Sequence, residues 1–197
     1  MTGMTTVSKK KELVDTLIKA EIVKTVFTLI KNDQPVTMDE IAKRCGVAKG
    51  TLYNHFEHKK ALLNYVHQTV LVPIRQKNKA IFESTKDPLV RLHEFIDSVF
   101  DIMEDFSLYF HFVQRRKTVA EEIGERLDLA IQPLVKVCTQ GIQDGTFIDV
   151  DPYVLAEMIY GTVIGPVKSL QHRCAEKQDI QKIKQDIICL VDRIILK

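Results

Sequence analysis

Apolar residues recur at three- and four-residue steps along most of the chain, and that period constrains its fold more than any other feature. Leu13, Leu17, Ile18, Ile22, Val26, Phe27 and Ile30 follow it near the start, and Ile180, Ile183, Ile187, Val191, Ile194 and Ile195 follow it at the end. Between them run Leu62, Leu63, Val66, Val70 and Ile74, then Leu92, Phe95, Ile96, Val99, Phe100, Ile102 and Met103, then Val154, Leu155, Met158, Ile159 and Val163. Such steps place side chains on one face of a helix, whereas a strand needs alternation. No stretch reads convincingly as a strand. The fold class is therefore all-α, with about nine helices.

Helix boundaries follow from the breakers. Residues 1–8 read as a leader outside the fold, and the first helix runs from Lys9 to Ile30, ended by Asn32, Asp33 and Pro35. Thr37 is an N-cap with Glu40 three residues on, the pattern of a capping box. Gly46 supplies the left-handed turn between two short helices. A long helix from about His58 to Phe82 contains Pro73, which predicts a kink. Asp87-Pro88 opens the next, with a break predicted near Phe106-Ser107. Thr118–Gln143 reads as one helix bent at Pro133, Asp151-Pro152 opens another, and the last spans about Lys177 to Leu196.

The longest run free of Lys, Arg, Asp, Glu and His, Met158–Val167, is about half the roughly 20 residues a membrane span needs. With no secretory leader, the expectation is a cytoplasmic chain without a membrane partner. Cys45, Cys138, Cys174 and Cys189 form no CxxC pair, and His93, His111 and His172 have no metal-ligand spacing, so neither a metal nor a cofactor is expected. No nucleophile–base signature or phosphate-binding glycine loop points to an enzyme. The net charge of +2 is uneven: residues 1–60 hold 11 Lys/Arg against 7 Asp/Glu. A basic first third suits nucleic-acid contact at one end, though a few solvated lysines explain it equally well.

The chemistry concentrates between Thr37 and Leu62. Ile41, Ala42, Val47, Leu52 and Phe56 are spaced to point inward, and Lys49, Gly50, Thr51, Tyr53, Asn54 and His55 fill the gaps. One anchored face and one polar, cationic face suit a recognition helix in a DNA groove. As a helix, Ala48–Asn54 is poor: Gly50 costs about 1 kcal/mol against alanine, and Lys49 lies at the positive end of the helix dipole. Close approach of DNA would make sense of both.

The residues Thr37, Ile41, Ala42, Gly46-Val47, Lys49-Gly50-Thr51-Leu52-Tyr53, His55-Phe56, Lys59 and Leu62 make this stretch resemble the DNA-binding domain of the TetR family of bacterial transcriptional regulators. Ala48, where the family often has a hydroxyl residue, and Lys60, where an acid is usual, depart from its pattern. The resemblance implies a three-helix helix-turn-helix domain, residues 1–56, and a helical ligand-binding and dimerisation domain, residues 57–197. It implies that Thr37, Lys49, Gly50, Thr51, Tyr53, Asn54, His55 and Lys59 face operator DNA. Lys49, Thr51 and Asn54 have the reach for base edges, while Tyr53, His55, Lys59 and Thr37 suit phosphates.

For the rest of the chain the resemblance implies an effector cavity and a homodimer. The aromatic patch Phe95, Phe100, Tyr109 and Phe110, with His111 and Gln114 as polar candidates, is the expected wall for a lipophilic or aromatic small molecule, or else simply core. Gly161 and Gly165 are spaced for close helix approach, and Ile183, Ile187, Val191 and Ile194 form a stripe for a four-helix bundle between subunits, or else an intramolecular core. The function expected is a ligand-released repressor binding a palindromic operator as a dimer. The alternative is a DNA-binding regulator or activator controlled by a partner protein.

Overall fold

The computed structural model describes residues 6–114, 118–170 and 177–197, with the side chains of 6–11, 104–107, 111, 114, 170, 177 and 178 outside that description. Its elements are α1 (Thr6–Lys31), α2 (Met38–Cys45), α3 (Lys49–His55), α4 (Lys59–Phe82), α5 (Pro88–Gln114), α6 (Val119–Arg126), a π-helical turn (Leu127–Ile131), α7 (Gln132–Gln143), α8 (Pro152–Leu170) and α9 (Lys177–Ile195). No strand occurs among the described residues. One isolated bridge pairs Phe147 with Leu196. Two compact units part inside α4, Met1–Leu71 and Val72–Lys197, whereas the sequence boundary fell after residue 56.

In the first unit, α1 packs on α2 and α2 on α3. Ile22, Val26, Leu29, Ile41, Leu52 and Leu62 are fully buried there. The apolar face of α1 is only partly used, since Leu13 and Leu17 are each 61% exposed. α1 has 26 residues and α2 has 8, lengths of about 39 and 12 Å, so the short helix covers only part of the long one. The helix also starts at Thr6, inside the expected leader.

The second unit is built around Phe95, Leu92, Ile96, Leu134, Phe147, Ile159, Val163, Val191 and Ile195, contributed by α5, α7, α8, α9 and the loop after α7. Asp87 and Asp151 cap α5 and α8 as read: Asp87 accepts from Leu89 N–H at 2.8 Å, and Asp151 from Tyr153 N–H at 2.8 Å. No break occurs near Phe106-Ser107, and α5 runs unbroken to Gln114. After Pro88 it holds neither glycine nor proline, and serine or phenylalanine alone costs too little to stop a helix.

The bend expected at Pro133 takes the form of the π turn just before it. Proline has no N–H for the carbonyl four residues back. Leu129 thus loses its helical donor, and the Asn78 side-chain amide donates to that carbonyl instead, at 3.0 Å. Widening to an i→i+5 bond, Gln132 N–H to Leu127 C=O, makes room for the ring.

Candidate nucleic-acid interface

Two caps fix the turn that aims α3. Thr37 Oγ1 accepts from Glu40 N–H at 3.2 Å, starting α2. The reciprocal half of the expected capping box is diverted, because Arg44 Nε donates to Glu40 Oε1 at 2.8 Å. Arg44 also donates to Gln34 Oε1 at 2.6 Å, tying the chain before α2 to its last turn. The Arg44 hydrogen bond holds the Glu40 carboxyl below its ordinary range. A complete capping box lies elsewhere, Thr118 with Glu121 at the start of α6. Gly46, at φ 66° and ψ 26°, ends α2. Val47 N–H reaches Ala42 C=O at 3.1 Å and Gly46 N–H reaches Lys43 C=O at 3.3 Å, which closes the turn.

α3 is anchored by a single fully buried side chain, Leu52, with Phe56 just beyond it 6% exposed. The Phe56 ring sits 5.3 Å from that of Tyr65. Around that anchor Lys49, Gly50, Tyr53 and Asn54 are exposed, as are Thr37 and Lys59, while Thr51 is half-buried. His55 differs from the rest: its side chain is 13% exposed and its Nε2 lies 3.9 Å from Asp15 of α1. The phosphate contact expected of it would thus compete with a place against α1.

Ala48 leaves α3 without a side-chain cap. A Cβ added at Gly50 would meet nothing within 4 Å, and its φ is not positive. Neither packing nor backbone geometry inside the chain calls for glycine there. Lys49 is another matter. Its Nζ lies 2.6 Å from Asp39 Oδ1, which raises its pKa through that hydrogen bond. The negative charge expected from DNA is thus already supplied from α2. The i, i+4 rule cannot reveal such a pair across a turn, so the sequence reading missed Asp39.

The second unit divides the remaining candidates. Phe95 and Phe100 lie in its core, Tyr109 is 3% exposed with its phenol pKa pushed up by burial, and Phe110 is half-buried. The side chains of His111 and Gln114 fall outside the described residues. A cleft of about 300 Å³ opens instead between α4, the π turn and α7, lined by Arg75, Asn78, Lys79, Phe82, Asp128 and Lys136 among others. It was not foreseen, because its polar lining comes from residues far apart in sequence.

The α9 stripe is not one free face. Ile187 and Val191 belong to the core of their own chain and Ile183 packs against it, while Ile194 is 42% and Leu190 51% exposed. Gly161 and Gly165 are exposed, with open space where a Cβ would stand. Among the described residues, no helix is long and apolar enough to cross a membrane, and no His, Cys, Asp or Glu cluster fits a metal ion.

Residues 34–66 match the family model described as bacterial regulatory proteins, tetR family. The chain is 32% identical over 110 residues to the HTH-type transcriptional activator FasR of Mycolicibacterium smegmatis, a match covering 56% of this chain and 47% of that protein. It is 24% identical over 125 residues to the HTH-type transcriptional regulator YhgD of Bacillus subtilis, covering 61% and 65%. These matches thus span about half and just under two thirds of the relatives' own lengths. Among solved structures, SmeT, the repressor of the Stenotrophomonas maltophilia multidrug efflux pump SmeDEF, superposes with a TM-score of 0.73 at 19% identity, over 91% of this chain and 90% of that one. That similarity concerns the fold.

Proposed function

We propose that this chain, which belongs to the TetR family of bacterial transcriptional regulators, binds a palindromic operator as a homodimer and is released from it by a small molecule. It is a DNA-binding regulator and not an enzyme. The observation that carries the reading is α3: Lys49, Gly50, Tyr53 and Asn54 stand exposed around one buried leucine, on a helix with no side-chain cap. A helix so presented enters the major groove with its first residues at the base edges.

Dimerisation follows from the reading task, since one short half-site gives little discrimination. Leu190 and Ile194 on α9, with Val154, Gly161 and Gly165 on α8, are exposed and available to a partner subunit. For the effector, the second unit offers the cleft beside α4 and the aromatic residues of α5. SmeT is also described in a complex with triclosan, which supports an effector of that general kind. An effector acts by favouring a conformation in which the two recognition helices no longer match the DNA repeat, and α4 with its internal Pro73 is the natural lever. The described name of FasR as an activator supports a second reading, in which bound protein promotes transcription.

The test is selection of duplexes from a randomised pool by the purified protein. An inverted repeat with half-sites about 10 bp apart, bound by two chains, is the expected result. Recovery of unrelated sequences only, or of one half-site bound by a monomer, contradicts the proposal. A reporter placed behind the selected site then separates repression from activation.

A further inference from the structure

The Lys49–Asp39 pair is more exposed than the Arg44–Glu40 and His55–Asp15 pairs of the first unit. Both side chains are exposed, 58% and 69%, and ion pairs in that setting add little to stability. Its consequence therefore lies in what the ammonium can still bind. A lysine ammonium has three N–H donors. Asp39, in the first turn of α2, takes one of them at 2.6 Å and leaves two. It also places a full negative charge beside the amine. A phosphate approaching Lys49 meets that charge and is repelled. The O6 and N7 of a guanine carry no net charge and accept both remaining donors.

We infer that Asp39 is a specificity-determining residue: it holds the Lys49 ammonium for a neutral base edge, guanine in particular, and makes it a poor phosphate ligand. Discrimination arises as much from the repelled alternative as from the favoured contact. Lysine is otherwise a mobile point charge that any phosphate satisfies. Tying it to α2 across the Gly46 turn gives it one position relative to α3. The face it serves continues through Tyr53, one turn along α3, which also lies in the field of Lys49. This inference rests on the reading that α3 contacts DNA through Lys49.

The experiment is a double-mutant cycle of Asp39→Asn and Lys49→Ala. It uses the full chain with two probes, the duplex selected from the randomised pool and a mixed-sequence duplex of equal length. The amide introduced by Asp39→Asn is nearly isosteric with the carboxylate, and the position is exposed, so the fold is expected to persist. In the Lys49 background, Asp39→Asn is expected to tighten mixed-sequence binding at least threefold. It should steepen that duplex's log–log salt dependence by about 0.9 for each bound chain, about 1.8 for a dimer, one more phosphate neutralised per subunit. Affinity for the selected duplex should stay within twofold, so the ratio between the duplexes falls. With Lys49→Ala both changes should vanish. An unchanged ratio, or the same change in both backgrounds, overturns the inference, the latter because it would mark a general charge effect. If Lys49→Ala alone leaves selected-duplex binding intact, it is the assignment of Lys49 to DNA that fails instead.

Discussion

Two helical glycines, Gly50 in α3 and Gly141 in α7, show how differently the two units are built. Each gives up about 1 kcal/mol of helix propensity against alanine. At Gly141 the reason lies inside the chain: an added Cβ would stand 2.3 Å from Cδ2 of Phe147, a ring with no exposure at all. At Gly50 a Cβ would meet nothing. The two cations beside them differ in burial. Arg91 is 6% exposed and donates to Phe82 C=O at 3.1 Å, at the negative end of α4, and to the Gln140 side chain. Lys49 is exposed and, among the described residues, meets only Asp39 and the field of Tyr53. Packing inside the second unit accounts for Gly141, whereas Gly50 has no such reason among the described residues and Lys49 has only the exposed Asp39 pair.

Substitutions can break that contrast, and the largest effect is expected at Gly141. Gly141→Ala must push Phe147 out of a filled core, and a loss of about 1–3 kcal/mol of unfolding free energy is expected in urea titrations. A neutral result would mean that the ring has room to move. Asn78→Ala comes next. It leaves the Leu129 carbonyl without its amide donor beside Pro133, at a cost of about 1–2 kcal/mol, read by the same titration; no loss would show that the π turn is held otherwise.

Gly50→Ala should have the opposite sign. A gain of about 0.5–1 kcal/mol is expected from helix propensity, together with at least tenfold weaker binding of the selected duplex. Stabilisation with undiminished binding would remove the outside reason for this glycine. The smallest effect concerns pH. Because Arg44 lowers the Glu40 pKa, the charged carboxylate contributes stability above the ordinary value near 4.5, and the contribution is lost as pH falls through the lowered one. Wild type should melt slightly above Glu40→Gln at pH 7, and the gap should close toward pH 3. A gap that persists in acid would assign it to something other than the ion pair.

The contrast also explains what was legible beforehand. Local rules were enough for the Gly46 turn, the acid caps at Asp87 and Asp151, and the anchor Leu52, because each depends on residues within one turn. What escaped depends on partners distant in sequence. Leu13 and Leu17 follow the helical period whether or not a neighbour is long enough to cover them. The stripe Ile183, Ile187, Val191 and Ile194 is apolar whether it meets its own chain or another, and only packing shows Ile187 and Val191 turned inward. Glu40 matched a capping box by spacing, yet Arg44 at i+4 offered a charge and took it. Lys49 read as a cation lacking an anion because Asp39 sits across the turn on another helix. The lined cleft at Arg75, Asn78 and Lys136 exists only once α4 and α7 are brought together.

The central claim is that α3 is shaped by DNA and not by its own chain. Its most direct test is retardation of the selected duplex by wild type, Lys49→Ala and Tyr53→Ala, with melting temperatures measured beside it. Both side chains are exposed, so the expected result is binding at least tenfold weaker, about 1.4 kcal/mol or more for each, with melting temperatures unchanged. Equal retardation by all three proteins would contradict the account, as would a loss of binding that merely follows a loss of the fold.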